Sequence, residues 1–537
     1  MLAIAVAALV YAVVFLGYLF DPWSSWVHIE TAYSDGFLRG FTQSRTWQQI
    51  RLVIIDGHGT SPNIARIRYV NNAVELTDFF ARRRLAAVFG FAPALTNLSS
   101  LVYYALSPVI AFLIARHVIG WRGWLAVPLL LSVAVFLSSV GYISPSIFVF
   151  HPAKKVVVFL ALLAMLFLVR YVSRPRFADV ALIGLCQIVM YWTDEMGLAA
   201  AALISSLAFV YILVLRRDRI LDGAALVLCQ AIGFAAFVER YRTNWDAIAS
   251  QDLPGHSNSM AEMLLRLGAN DFLNLTGGHL AGGFSAYYGP AVVAPLFLAC
   301  AIVAFVLALW RSKAASLSPD ATTLSAMTRA RFLVVATGVT MILNALATVV
   351  LLQFGGGPFM SYFGFYYSSV MSVFAFVFIC AAFRLAELTV QRFPRQLPRL
   401  GAIGLQAGLI VALGIATWSN VANAPKLNWL IGMIHSNPYP YGVLNEIGDY
   451  WLRRTTDPSA EPLQTLIVPI CDEDDVARRF ETLLDELDVT DPGTRKAYMH
   501  YPANPFVDER FVRAQFMMMS YAPGPELRFV DAPSGMC

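Results

Sequence analysis

The chain has 537 residues, of which 58% are hydrophobic and 14% are charged, and its net charge is +4. A soluble domain carries about 25% charged residues, so this composition excludes an ordinary water-soluble protein and favours a membrane protein. The small net charge gives no sign of nucleic-acid binding. The sequence also contains no P-loop, dinucleotide-binding, zinc-protease or serine-hydrolase motif.

The chain begins with an apolar run over residues 1–20 that has no Lys or Arg before it. A cleaved signal peptide has a basic start and a small-residue cleavage site. This run ends instead in Asp21-Pro22-Trp23, so we expect a retained first membrane span. A bilayer core needs about 20 apolar residues per helix. Further apolar runs lie at about 97–115, 124–142, 156–170, 178–192, 198–215, 221–238, 290–310, 332–353, 360–383 and 401–420. The sequence therefore predicts an all-α polytopic membrane protein with about 11 transmembrane helices.

The loops between these runs differ in charge, and short basic loops stay in the cytoplasm. The basic loops hold Arg116, Arg122, Arg170, Arg174, Arg176, Arg216, Arg217, Arg219, Arg311, Lys313, Arg329, Arg331, Arg384, Arg392, Arg395 and Arg399. With about 11 spans and a cytoplasmic N-terminus, all of these loops fall on one side. The sequence thus predicts a membrane domain over 1–420, with outer loops at 21–96 and 239–289, and an extracytoplasmic domain over 421–537.

The predicted C-terminal domain, 421–537, has a mixed pattern. A strand-like run at 464–470 precedes a helical stretch at about 475–487, which favours a small α/β fold. Cys471 and Cys537 lie in this domain and could pair if it is exported to an oxidising compartment.

The first outer loop, 21–96, carries more pattern than a passive linker needs. Over 69–85, apolar residues recur at helical spacing with arginines around them, which predicts an amphipathic helix in the membrane interface. The acidic and polar residues that precede this helix are Asp21, Glu30, Asp35, Asp56 and His58. A carboxylate here could act on a substrate whose lipid tail stays in the bilayer. The alternative is that these residues cap helices and solvate a loop.

Charged residues also occur at two other predicted outer positions. Lys154 and Lys155 lie just after His151 at an outer helix end, against the positive-inside trend. Paired ammonium groups there suit a phosphate, and the alternative is that both side chains snorkel to the membrane surface. Asp194 and Glu195 lie in a short outer turn. Acidic residues between spans are costly to place at depth, so a functional role is the first hypothesis for them.

Four features within residues 1–220 resemble the GT-C superfamily of membrane glycosyltransferases, especially protein O-mannosyltransferase-like proteins and bacterial enzymes that modify surface glycans. The first is a long outer loop after one span, with an acidic residue before an aromatic stretch at 33–37. The second is the later helix of this loop, which leads into span two over 66–98. The third and fourth are the segment 151–155, which enters span four, and the segment 193–195, which begins span six. Relatives often have a double acidic pair where this chain has Ser34-Asp35.

The resemblance implies an inverting transfer of a sugar from a polyprenyl-phosphate donor to a hydroxyl of a glycan, lipid or protein acceptor. It places this chemistry on the outer face of a bacterial inner membrane. Such a reaction needs a general base within hydrogen-bond reach of the acceptor, and Asp35, then Glu30, is the expected base. Cations must lie near the leaving phosphate, and the candidates are Lys154, Lys155, Arg66 and Arg68. Some family members use a divalent metal ion, and the candidates for substrate or metal binding are Asp194, Glu195, His58 and His151.

Three other functions stay open. An oligosaccharide ligase or polymerase would place its key groups in a large late loop, and the loop at 239–289 is moderate in size. A transporter would show internal repeats or ionisable residues at the centre of the bilayer, and we find neither pattern in the sequence. A non-catalytic scaffold would present the C-terminal domain, and the absence of a second acidic residue beside Asp35 keeps this alternative open.

Overall fold

The structure is a computed structural model, and the residues that it describes are almost all helical up to position 436. It describes Ile54 and residues 69–89, 98–121, 123–139, 141–142, 153–243, 293–310, 321–354, 369–393, 397–436, 465–470 and 526–531. The helices are α1 Tyr69–Phe89, α2 Leu98–Val118, α3 Ala126–Ser138, α4 Ala153–Ser173, α5 Phe177–Tyr191, α6 Glu195–Leu215, α7 Ile220–Thr243, α8 Val293–Leu309, α9 Ala321–Phe354, α10 Ser369–Arg392 and α11 Leu397–Ser436.

Each apolar run predicted after the first overlaps one of the helices α2 to α11. Among the described residues, 7 helices are long and apolar enough to cross a membrane. Shorter apolar helices occupy Gly123–Ser138, Phe177–Tyr191 and Pro295–Leu309. These helices confirm an all-α membrane protein, because a helix satisfies its backbone hydrogen bonds internally in lipid. The first predicted span, 1–20, lies outside the described residues, so the count of about 11 spans stays a prediction.

The arginine-rich turns collect at one end of the helical bundle. At this end α2 is followed by α3, α4 by α5 through residues 174–176, and α6 by α7 through residues 216–219. Arg329 of α9 also reaches the last residue of α4 here, because it donates a hydrogen bond to the Ser173 carbonyl. We call this the basic end. The far end is the opposite one, where α5 turns into α6 at residues 192–194.

The helices differ in how much of their surface faces other helices. α10 lies at the centre, and 94% of its apolar window is buried in the bundle. Its sequence is apolar on all sides, as expected for a helix surrounded by other helices. Only 22% of the corresponding window of α7 is buried, and Leu221, Leu228 and Phe234 are exposed on it. In a membrane this apolar surface faces lipid, where it needs no protein partner.

Small residues allow α5 and α7 to approach closely. A Cβ atom at Gly184 of α5 would lie 2.5 Å from the Cys229 sulfur, and one at Gly233 of α7 would lie 2.6 Å from the Tyr191 ring. Both distances are too short for real atoms, so these contacts require glycine. Close backbone approach at small residues is how membrane helices gain packing energy without a hydrophobic driving force.

Two strands are described in the C-terminal part of the chain. β1 Thr465–Ile470 and β2 Glu526–Asp531 pair in parallel, with Thr465 opposite Glu526. β1 coincides with the strand-like run at 464–470. The helical stretch at about 475–487 and the cysteines Cys471 and Cys537 lie outside the described residues, so the α/β domain and the disulfide stay predictions.

Candidate functional site

Four elements meet at the far end of the bundle. They are α1, the first turns of α2 and α4, and the turn between α5 and α6. The backbone N–H of Val70, at the start of α1, donates to the carbonyl of Trp192 in that turn at 3.0 Å. α1 is therefore tied directly to the α5–α6 turn, and the polar residues of all four elements come together beneath it.

Lys154 and Asp194, which are 40 positions apart in the sequence, form an ion pair at this junction. Their side chains are only 5% and 2% exposed. The Asp194 carboxylate also accepts a hydrogen bond from the Met196 N–H at 2.9 Å and so caps the start of α6. The first N–H groups of a helix have no partner within it, and a negative charge there is favourable. The predicted short outer turn is thus a buried, charge-compensated helix start.

Lys155 is buried beside this pair and is 1% exposed. Its ammonium group donates a hydrogen bond to the Ser100 hydroxyl, in the first turn of α2, at 2.9 Å. A snorkelling lysine would extend to the surface of the bundle instead. The burial of Lys154 and Lys155 contradicts that alternative, because both ammonium groups bind polar partners inside the protein.

α1 presents a mostly polar face to the bundle, on which Leu76 is also buried. Asn71, Glu75 and Asp78 are buried on this face, while Phe80 and Val88 are exposed. The Asp78 carboxylate accepts hydrogen bonds from the backbone N–H of Ser99 at 2.8 Å and from its hydroxyl, which caps α2 from a different helix. The helix predicted over 69–85 is present as α1, and its position in the membrane interface stays a prediction.

The buried polar residues of α1 were not singled out from the sequence. Asn71, Glu75 and Asp78 follow the i, i+4, i+7 spacing of one helical face, and this spacing is the signal that could have found them. The Asn71 amide donates to Glu75 at 2.9 Å. The Asn71 carbonyl oxygen and the Trp192 indole nitrogen are buried without a hydrogen-bond partner among the described residues. Two polar atoms that could bind a ligand hydroxyl therefore lie near the Lys154–Asp194 pair.

Several predicted site residues lie outside the described part of the chain. They are Asp35, Glu30, Arg66, Arg68, His58 and His151. Glu195 is described only as the first residue of α6. The structure brings Lys154, Lys155 and Asp194 together, and the convergence of Asp35 on the same site stays a prediction.

The described carboxylates do not form a metal site. Among the residues that the structure describes, no three His, Cys, Asp or Glu side chains are grouped as ligands of a metal ion would be. Asp194 is also engaged by Lys154 and by the start of α6. Metal binding by Asp194 with Glu195, His58 or His151 remains a prediction, and no chemical step is assigned to a metal ion.

Comparison with known proteins gives no match to a family model, to a curated protein or to a solved structure. The described helices define an integral membrane protein built as an α-helical bundle. The resemblance to the GT-C superfamily therefore rests on the sequence features alone and stays a prediction.

Proposed function

We propose that this protein is a membrane glycosyltransferase that moves a sugar from a polyprenyl-phosphate donor to an acceptor hydroxyl on the extracytoplasmic face. The observation that carries the proposal is the group of buried charged residues at the far end: Lys154, Lys155, Asp194, Glu75 and Asp78. Ionisable residues in the membrane-embedded part of a protein are costly and mark functional sites by default.

The position of the two lysines supports a phosphate ligand. An ammonium group has three N–H donors, so Lys154 can keep its contact with Asp194 while it donates to a phosphate oxygen, and Lys155 can do the same from Ser100. Preorganised cations in a site that excludes water stabilise the charge that develops on a leaving phosphate. Asp194 orients the Lys154 ammonium group and the Ser100 hydroxyl orients that of Lys155 before the donor arrives.

The neighbouring polar atoms support a sugar. A hexose carries several hydroxyl groups, which both donate and accept hydrogen bonds. The Asn71 carbonyl oxygen can accept and the Trp192 indole N–H can donate, and each is buried without a partner among the described residues. Buried polar atoms of this kind gain free energy when a ligand completes their hydrogen bonds.

The proposed reaction is a single displacement with inversion. The Asp35 carboxylate, or Glu30 in second place, accepts the proton of the acceptor hydroxyl. The acceptor oxygen forms a bond to the anomeric carbon while the bond from that carbon to the phosphate oxygen breaks. The electron pair leaves with the polyprenyl phosphate, beside Lys154 and Lys155. By the positive-inside rule we expect the basic end in the cytoplasm and this site outside. The inner membrane of a bacterium is what the resemblance to bacterial surface-glycan enzymes implies.

Binding of the donor lipid is tested with the full-length protein in nanodiscs, using polyprenyl monophosphate and polyprenol as paired probes. We expect the phosphate to raise the unfolding temperature and polyprenol, which lacks it, to have a small effect. Lys155→Met should abolish the difference, because it removes the charge. Ser100→Ala should keep the difference, because it removes only the hydrogen-bond acceptor of Lys155. Equal stabilisation by both lipids would overturn the proposal.

Catalysis is tested by the release of sugar from polyprenyl-phosphate mannose and polyprenyl-phosphate glucose, with water as the slow acceptor. Asp35→Asn should abolish release and leave lipid binding unchanged. Asp56→Asn, in the same loop, is the matched control and should release sugar at the wild-type rate. Wild-type release by Asp35→Asn would exclude Asp35 as the base. No release of either sugar by the wild-type protein, with donor binding intact, would contradict transfer of these sugars.

A further inference from the structure

Arginines of α9 bind the ends of two neighbouring helices at the basic end. Arg329 donates to the Ser173 carbonyl, the last residue of α4, at 2.7 Å. Arg331 donates to the Trp310 carbonyl, directly after α8, at 2.9 Å. The last carbonyl groups of a helix lack partners within it and carry partial negative charge, so a cation is favourable there. Each contact uses one of the five N–H donors of a guanidinium.

Positive charge accumulates around these two residues. Arg331 lies within electrostatic range of Arg392, and Arg329 lies within range of Arg384. The nearby carboxylate of Glu387 accepts hydrogen bonds from the Gln391 and Gln406 side chains. Like charges that interact in a partly buried position repel each other, and an anion beside them lowers that repulsion. Glu387 offsets part of the charge at Arg384, so the guanidiniums of Arg331 and Arg392 are the two that would favour an anionic ligand.

Arg331 adds a second, independent observation. Its Nε atom is buried and has no hydrogen-bond partner among the described residues. A buried donor without an acceptor costs free energy, which a ligand oxygen would recover. Because the guanidinium fork matches two oxygens of a phosphate at once, phosphate is the anion whose geometry fits best.

The surroundings indicate that the phosphate belongs to a lipid. Leu309 and Trp310 at the end of α8 are 67% and 42% exposed, and Leu400 at the start of α11 is 67% exposed. The start of α11 and the end of α8 are neighbours, since a Cβ atom at Gly401 of α11 would lie 3.8 Å from the Leu307 side chain of α8. Exposed apolar side chains beside guanidiniums at a helix end provide a surface for acyl chains below a headgroup, and exposed Trp is typical of this depth.

We propose that Arg331 and Arg392 bind the phosphodiester of an anionic phospholipid at the basic end, with its acyl chains against Leu309, Trp310 and Leu400. The lipid neutralises the paired guanidiniums and joins the ends of α8, α9, α10 and α11. Clusters of basic residues at the cytoplasmic membrane surface attract anionic lipids. This site lies at the other end of the bundle from the proposed sugar-transfer site and does not depend on it.

The test uses the full-length protein in nanodiscs of phosphatidylcholine, with and without phosphatidylglycerol, and measures the unfolding temperature and the phosphatidylglycerol retained after transfer to detergent. Phosphatidylglycerol should raise the unfolding temperature of the wild-type protein. Arg392→Gln should reduce its retention about tenfold, because one charge-assisted phosphate contact is lost.

The matched control is Arg217→Gln. Arg217 also lies at the basic end and donates to a helix carbonyl, that of Leu213, at 3.0 Å. This variant should retain phosphatidylglycerol as the wild-type protein does. Equal loss in both variants would mean general attraction to the basic end and would overturn the site. Inorganic phosphate added to phosphatidylcholine nanodiscs should have no effect, and stabilisation equal to that of phosphatidylglycerol would overturn the assignment to a lipid.

Discussion

The carboxylate of Asp194 has two partners, and each explains part of its position. It accepts the Met196 N–H at 2.9 Å, which begins α6, and it pairs with Lys154 from α4. Taking both charges out of water costs free energy, and the pair recovers it only if both members remain. The residue therefore links the start of one helix to the start of another, and its loss would affect both.

We predict strong coupling between Lys154 and Asp194. Lys154→Met alone leaves a buried carboxylate without its cation and should lower the free energy of unfolding by about 3–5 kcal/mol. The double variant with Asp194→Asn removes both charges, and Asn remains a good N-cap, so most of the stability should return. The measurement is a double-mutant cycle of denaturant unfolding in detergent. Additive effects of the two substitutions would show that the pair contributes nothing.

At the scale of helices, α1 is held largely by polar contacts, together with the buried side chain of Leu76. Asp78 caps α2 through Ser99, and Val70 donates to Trp192 in the α5–α6 turn. Its exposed face carries Phe80 and Val88, which suit the acyl chains of the interface. α1 thus joins the start of α2 to the α5–α6 turn through polar contacts.

We predict that Asp78→Ala loosens both α1 and the start of α2. The substitution removes an N-cap and should cost about 1–2 kcal/mol. Faster hydrogen exchange of the first amides of α2, measured by mass spectrometry, is the expected result. Thr77→Ala is the control, because Thr77 is exposed and its hydroxyl donates to the Ala73 carbonyl of its own helix. Similar exchange in both variants would contradict a capping role for Asp78.

The close approach of α5 and α6 yields a second prediction for helices. A Cβ at Gly197 would lie 2.1 Å from the Met190 carbonyl oxygen, and a backbone atom cannot move away without disturbing the turn. Gly197→Ala should therefore destabilise the protein and displace Asp194. Gly414→Ala is the control, since nothing lies within 4 Å of its Cβ and Ala favours a helix by about 1 kcal/mol. Thermal unfolding of both variants in detergent measures the difference.

For the whole molecule, the helices were predictable because apolar length is a strong signal in a membrane protein. The runs on α2 to α11 needed no knowledge of tertiary structure. The Lys154–Asp194 pair was not predictable as a contact, since 40 positions separate its members and only packing joins them. The polar face of α1 escaped notice because its apolar and arginine residues dominated the pattern, although the spacing of Asn71, Glu75 and Asp78 was visible.

The orientation of the bundle decides whether the far end can meet an extracytoplasmic substrate. Arginines at the turns 174–176 and 216–219 mark the basic end, whereas the turn at 192–194 contains none. Translocation of short basic loops is unfavourable, so the basic end should remain in the cytoplasm. The connections α2–α3, α4–α5 and α6–α7 should therefore all lie on the cytoplasmic side.

Reporter fusions test this orientation directly. Green fluorescent protein fused after Arg174 or after Arg217 should fluoresce, because we expect both turns in the cytoplasm. Alkaline phosphatase fused after Trp192 should be active, because we expect this turn outside. Exchanging the two reporters at each position is the control and should give weak signals. The donor lipid can reach Lys154 and Asp194 only from the side of the membrane on which they lie. If the Trp192 fusions report a cytoplasmic turn, the charged site faces the compartment of soluble nucleotide sugars. That result would exclude transfer to an extracytoplasmic acceptor.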